Sequence, residues 1–251
     1  MNSVPIFQGE HMTRRFKGLV ALNDLSLTVN EGEILGIVGP NGAGKSVLIN
    51  LITKFYELSS GKTRICGIDT TNLSRMQTAR LGVARTFQNI RLFSDMSVLE
   101  NVMVAQQEYV RQPWRSFTGI WSKKDIGKAE DLLDLMRLSD YANSAAGRLS
   151  YGAARRLEIA RALATRPALL LLDEPAAGMN EEETGALVKD IARARKLTRA
   201  IVLIEHDMSL IRSLSTRLIA IVAGSQVAEG SVNTVLSDPI VVESYLGSND
   251  F

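Results

Sequence analysis

The chain has 251 residues, 45% hydrophobic and 22% charged, proportions that exclude a disordered, collagen-like or disulfide-scaffold protein. Its 29 basic and 27 acidic side chains leave a formal net charge of +2, so composition gives no argument for nucleic acid as a partner. The single cysteine, Cys66, excludes an intrachain disulfide, and the length suits one large domain or one domain carrying an insertion.

No segment approaches the roughly 20 apolar residues that span a bilayer; the densest runs cover 167–172 and 218–224. The opening MNSVPIFQGE lacks the basic and then apolar pattern of a signal peptide, so a cytoplasmic chain is expected.

Residues 4–38 read as short strands. Leu25, Leu27 and Val29 alternate with Ser26 and Thr28, the period of a half-buried strand, and Glu31-Gly32 makes the turn to a nearly all-apolar strand at 34–38. A glycine-rich loop follows at 39–44, then a helix over 45–54, and a further strand is expected at 65–68. Between 94 and 149 the texture becomes helical: Ile126, Ala129, Leu133 and Met136 share one face, and Val98, Val102 and Ala105 do likewise. A basic stretch with two tryptophans runs from Arg111 to Lys128, by default a solvated face. Beyond it come a helix over 153–165 stopped before Pro167, a buried strand over 168–172, and a helix opened by the Asn180 and Glu183 start signal with Leu187, Ile191 and Ala194 on one face. Buried strands at 200–204 and 218–223 complete the pattern. Strands alternating with helices imply a largely parallel sheet covered by helices.

Three motifs carry chemistry. Gly39-Pro-Asn41-Gly42-Ala43-Gly44-Lys45-Ser46 matches G-x-x-x-x-G-K-[ST] between a buried strand and a helix. Its backbone N–H groups can cradle phosphates, helped by the helix N-terminus. Lys45 would neutralise the β- and γ-phosphates and Ser46 would ligate Mg²⁺. Asp173-Glu174 ends an apolar strand, where adjacent carboxylates are costly unless they serve a cation or a reaction. Asp173 is placed to hold Mg²⁺, and Glu174 to orient and deprotonate an attacking water. Leu149-Ser150-Tyr151-Gly152-Ala153 precedes a helix and is a second candidate anion site, although alone it would read as a plain helix cap.

Together these motifs resemble the ATP-binding-cassette (ABC) ATPase family. Arg85-Thr-Phe-Gln88 is similar to its Q-loop, Leu149–Ala153 to its signature, Ala176–Asn180 to its D-loop, and Glu205-His206-Asp207 to the segment holding its switch histidine. Phe16, with Val20 nearby, sits where the family places an adenine-stacking aromatic. Val83–Phe93, Arg155–Arg161, Asp173–Gly178 and Ser244–Gly247 further resemble the ATP-binding subunits of branched-chain amino-acid importers, and the long stretch from Phe93 to Leu149 favours the larger of two such ATPases.

The resemblance implies an α/β fold: a P-loop NTPase core with an N-terminal antiparallel β subdomain and an inserted α-helical subdomain. One nucleotide-binding domain would fill 1–251, with the β subdomain and P-loop core over 1–93, the helical insertion with the signature over 94–165, and core completion with C-terminal helices over 166–251. ATP and Mg²⁺ would be the cofactors. Phe16, Val20, Gly39, Asn41–Val47, Ser150 and Gly152 would bind nucleotide, the last two reaching the facing site of a head-to-tail dimer. Ser46, Gln88 and Asp173 would serve the metal; Glu174, His206, Gln88 and Lys45 would serve catalysis, Gln88 also linking the site to a membrane partner. Polytopic permease subunits, a second ABC ATPase in a heterodimer rather than a homodimer, and indirectly a solute-binding protein are the implied partners, at the cytoplasmic face of the cell (inner) membrane. Nucleic acid is not among them.

The sequence departs from the family's pattern at Ala153, where glutamine is usual, at Val47, at Phe16 and at Asn180. Ala153 implies weakened contacts in the facing site, and Asn180 serves equally as a helix cap. The alternatives are an ABC ATPase acting on ribosomes or DNA, and another P-loop enzyme such as a GTPase. The first is disfavoured by the lack of a second cassette, coiled coil or strong basic tract. The second is disfavoured because Thr53-Lys-Phe-Tyr56 fails a guanine-reading motif. His11 and Cys66 read as structural or surface residues.

Overall fold

The computed structural model describes residues 4–106 and 121–246; of the basic stretch, Arg111 and Arg115 lie outside the described residues. Strands β1 (Phe7–Phe16) and β2 (Leu19–Val29) form an antiparallel hairpin, joined by β4 (Ser60–Ile65) and β5 (Ile68–Asp69) in the order β2-β1-β4-β5. Only the second half of β2 was legible as a strand. There Leu25, Leu27 and Val29 are buried and alternate with less buried neighbours, whereas residues 19 and 20 are exposed and the β1–β2 register shifts three times. Such irregularities break the period of 2 on which the reading depends. The strand expected over 65–68 is instead a hairpin: Ile65 pairs with Ile68 across Cys66 and Gly67, both at positive φ, as tight two-residue turns require.

The larger sheet has the order β10-β9-β3-β8-β7-β6. Its strands are β3 (Ile34–Val38), β6 (Val83–Arg85), β7 (Leu169–Asp173), β8 (Ala200–Ile204), β9 (Arg217–Val222) and β10 (Ser225–Gly230). All pairings are parallel except that of β10, at the edge. β3, β7 and β8 are buried along their whole length, which is why they read as continuous apolar runs.

The two faces of this sheet feed separate cores. Leu35, Ile37, Leu169, Leu171, Val202 and Ile204 pack with Leu48 and Ile52 of α1 (Lys45–Ile52) and with Phe7, Met12 and Leu22 of the antiparallel sheet. Leu170, Leu172, Ile201 and Leu203 belong to a second core that also takes in apolar residues of α3 (Val98–Ala105), α4 (Lys123–Leu135) and α5 (Tyr151–Ala164), together with Leu187, Ile191, Leu210 and Ile211 from helices after β7. The expected stripes lie on this side: Val98, Val102, Ala129, Leu133 and Met136 are buried, with Ala105 and Ile126 half-buried. Before α3 comes the short α2 (Arg75–Arg80), opened by a Ser74–Gln77 capping box.

The remaining α-helices among the described residues are α6 (Glu181–Ala194), α7 (Met208–Leu214), α8 (Val232–Leu236) and α9 (Pro239–Leu246). Asn180 and Glu183 form a full capping box at the start of α6, as their spacing predicts.

Candidate functional site

The loop after β3 turns sharply under β9. A side-chain Cβ at Gly39 would stand 2.0 Å from the Ile221 carbonyl oxygen, and one at Gly44 (φ +104°) 2.6 Å from that of Ala21. Glycine is therefore required sterically at both ends of the loop. Lys45 Nζ folds back over the loop and donates to the carbonyl oxygens of Gly39 and Pro40, the latter at 3.1 Å. Gly44 is the N-cap of α1 and has no side chain to satisfy the first N–H groups of the helix, which leaves them suited to an anion.

A cavity of about 510 Å³ opens at this loop. Asn41, Gly42, Ala43, Gly44, Lys45, Ser46 and Val47 line it, together with Phe16, Val20 and Glu174. The structure thus gathers the predicted nucleotide residues from β1, β2 and the loop into one place. Phe16 is half-buried, with its ring edge-on to Tyr56 (5.1 Å between centroids) and the Arg14 guanidinium 4.4 Å from its centroid. Gly39 lies beneath the cavity; its N–H donates to Tyr245 Oη of α9 at 2.7 Å, a support for the loop that spacing arguments did not reveal.

Asp173 closes β7 at 5% exposure and pairs with Arg85 at 3.2 Å; its N–H donates to Thr86 Oγ1. Burial pushes its carboxyl above the usual range, and Arg85 opposes that. Glu174 follows in the left-handed region (φ +47°), held by its N–H on the Ile204 carbonyl at 2.9 Å. Such a conformation costs about 1–3 kcal/mol in a non-glycine residue and persists only where the surroundings hold it. It turns the carboxylate toward two partners: Gln88 Nε2 donates to Oε2 at 3.0 Å, and His206 Nε2 bonds to Oε1 at 2.8 Å.

Glu205 is another residue that sequence reasoning passed over, quoted only as a flank of His206. It is buried, and its carboxylate accepts the N–H of Ala176 at 2.7 Å and of His206 at 3.1 Å. Burial pushes its carboxyl up, and these N–H groups counter the push. A buried acid directly after an apolar strand was the available signal.

Ser150 caps α5 by accepting the Ala153 N–H at 3.4 Å. Gly152 is buried against Glu183, whose Oε1 would stand 2.9 Å from a Cβ there. Neither Ser150 nor Gly152 lines the Lys45 cavity. Ala153 is itself buried in the helical core. Among the described residues no group of three or more His, Cys, Asp and Glu side chains could hold a metal by itself. The oxygen donors Ser46 and Asp173 beside a phosphate cradle fit Mg²⁺, which takes most of its ligands from water and phosphate.

Residues 22–177 match the family model described as ABC transporter. Similar proteins include the high-affinity branched-chain amino acid transport ATP-binding proteins BraF of Pseudomonas aeruginosa and LivG of Escherichia coli. BraF is 39% identical, covering 98% of this chain and 99% of its own length; LivG is 38% identical with the same coverage. Among solved structures, the ADP conformation of MJ1267, an ATP-binding cassette of an ABC transporter, superposes with a TM-score of 0.86 at 32% identity. That match covers 97% of this chain and 99% of the other.

Proposed function

The chain belongs to the ABC transporter family, and from that premise we propose that it is the ATP-hydrolysing subunit of an importer for branched-chain or related amino acids. It is an ATPase, and its ATP-binding relatives are named for branched-chain amino acid transport. The observation that carries the catalytic reading is the meeting of Gln88 and His206 on the Glu174 carboxylate, at the wall of the Lys45 cavity.

In this reading Lys45 exchanges its loop carbonyls for the β- and γ-phosphates of ATP. Phe16 and Val20 receive the adenine. Glu174 accepts a proton from water as its oxygen attacks the γ-phosphorus and the bond to the bridging oxygen breaks, yielding ADP and phosphate. His206 orients Glu174 and faces the γ-phosphate. Mg²⁺, held by Ser46 and Asp173 with Gln88 close by, would neutralise charge on the phosphates. Ser150 and Gly152 would cap the nucleotide of a second ATPase subunit, which is consistent with their lying outside the chain's own cavity.

Among the described residues no helix is long and apolar enough to cross a membrane. In this reading, which rests on the transport ATP-binding relatives, the chain acts peripherally, at the cytoplasmic face, on polytopic permease subunits. A heterodimer with a different ATPase and a separate solute-binding protein complete the proposed assembly. The test is ATP-driven uptake of labelled leucine, isoleucine and valine in proteoliposomes holding the permease, both ATPases and the binding protein. Uptake that persists without this chain would refute the importer role; absence of ATP hydrolysis by the assembly would refute the catalytic one.

A further inference from the structure

Beyond Thr86, the segment that carries Gln88 is held by helices. Thr86 itself belongs to the sheet, its N–H on the Leu171 carbonyl. From the next residue the partners change. Arg155 of α5, wholly buried, donates from Nη1 to the Phe87 carbonyl at 2.5 Å and from Nη2 to the Gln88 carbonyl at 2.8 Å. Glu158 accepts the Phe87 N–H at 3.0 Å with one oxygen and pairs with Arg155 Nη1 at 2.7 Å with the other. Farther on, Arg161 donates to the Arg91 carbonyl, and the Asn101 side chain of α3 exchanges two hydrogen bonds with the Phe93 backbone, each of 3.0 Å.

We propose that the buried Arg155–Glu158 pair is a positioning device for the ATPase reaction. It makes the Phe87–Gln88 backbone part of the α5 layer, so that the position of that layer decides whether the Gln88 amide reaches Glu174. The inference rests on the ATPase reading above and assigns two residues that touch neither nucleotide nor Glu174.

Three physical points support it. First, a buried ion pair is a weak source of stability, because apolar side chains of similar volume often serve the fold as well; its use here is directional. Second, the guanidinium is a rigid planar fork, and two of its nitrogens meet successive carbonyls, fixing the orientation of the peptide that leads into Gln88. Third, Glu158 grips the N–H of the same Phe87 whose carbonyl Arg155 grips, so the residue preceding Gln88 is held on both sides. The rest of α5 is locked by apolar contacts of Leu157, Ile159, Ala160 and Leu163 in the helical core. Counted as hydrogen bonds, Gln88 therefore has the 3.0 Å bond to Glu174 on one side and, at and just before it, three backbone bonds from α5 on the other; the Phe87 ring also meets Phe55 and Arg85.

The test is a double-mutant cycle on the full-length chain, reading steady-state ATP hydrolysis and nucleotide affinity. Arg155→Met should lower kcat about tenfold to a hundredfold, the range expected of a misplaced group, with nucleotide KM and Kd within about twofold. In the Gln88→Ala background the same substitution should cost less than about twofold, because its effect passes through Gln88. Equal fold-losses in both backgrounds, or a loss confined to nucleotide affinity, would overturn the inference. Should Arg155→Met fail to fold, the paired Arg155→Met/Glu158→Leu variant removes both charges of the pair together, so that Glu158 is not left without Arg155. In it, amide exchange of the peptide spanning 86–93 should speed up while that of the Lys45 loop does not. Unchanged exchange there overturns the inference whatever the kinetics, whereas a wild-type chain that hydrolyses no ATP overturns the earlier reading.

Discussion

Glu174→Gln separates binding from hydrolysis, and its size can be worked from the contacts. The carboxylate accepts from Gln88 at 3.0 Å and bonds His206 at 2.8 Å, at 18% side-chain exposure. An amide of the same shape keeps one acceptor and presents N–H₂ where the second stood, so one bond to a charged group is lost, about 1.5–3 kcal/mol at most. The same change removes the general base, which contributes about 10²–10⁴ in rate, or roughly 3–5 kcal/mol of barrier. Loss of basicity therefore outweighs loss of the contact. Nucleotide affinity should hold or rise, because a negative charge beside the phosphate cradle disappears. The assay is phosphate release together with equilibrium titration of ATP: kcat should fall by about 10²–10⁴ with Kd no weaker than wild type. A kcat within about threefold of wild type, or a Kd weakened in step with kcat, would refute the role of Glu174 as base.

Lys45→Ala should do the reverse, weakening ATP binding by at least about tenfold through loss of a charge-assisted contact, as measured by calorimetric titration. Gln88→Ala should leave nucleotide Kd within about twofold and lower the solute imported per ATP hydrolysed in proteoliposomes. Burial holds the Glu205 carboxyl above its unfolded value of 4.5, so between 4.5 and the raised value the folded chain binds more protons than the unfolded one. Stability from this residue therefore falls as pH rises through that window. Glu205→Gln, read as melting temperature from pH 4.5 upward, should flatten the decline while costing about 1 kcal/mol overall through one lost backbone contact.

The elements legible in the sequence are those with a clean period or a fixed local chemistry. β3 and β8 were found at their observed ends because they are buried on both faces, and the Asn180 start signal because a capping box is made of neighbouring residues. β1 was hidden by its bulges, and the Cys66-Gly67 turn by an apolar residue on either side, which made a hairpin look like one strand. At the site, the Lys45 loop and the Asp173-Glu174 pair were legible because each is contiguous. The supports were not. Tyr245 under Gly39, Glu205 behind His206, and Arg155 with Glu158 on Phe87 act across 29 to 206 positions or through backbone atoms, and a backbone partner leaves no mark on residue type.

What spacing could not show, strand order supplies. Gln88, Glu174 and His206 follow β6, β7 and β8, which lie side by side in the sheet in that order. The register sets Arg85 opposite Leu171 and Asp173 opposite Ile204. Three residues beyond Arg85 is Gln88, level with Glu174; two beyond Ile204 is His206. Glu174 therefore stands between its partners because β7 stands between their strands, and the left-handed turn at Glu174 presents the carboxylate to both. The connection from β6 to β7 runs through α3, α4 and α5 and covers the same sheet edge, which lays Arg155 on the segment that leaves β6. A displacement of those helices must either carry Gln88 away from Glu174 or break the Arg155 contacts. The topology that assembles the site also exposes it to whatever pushes on the helices.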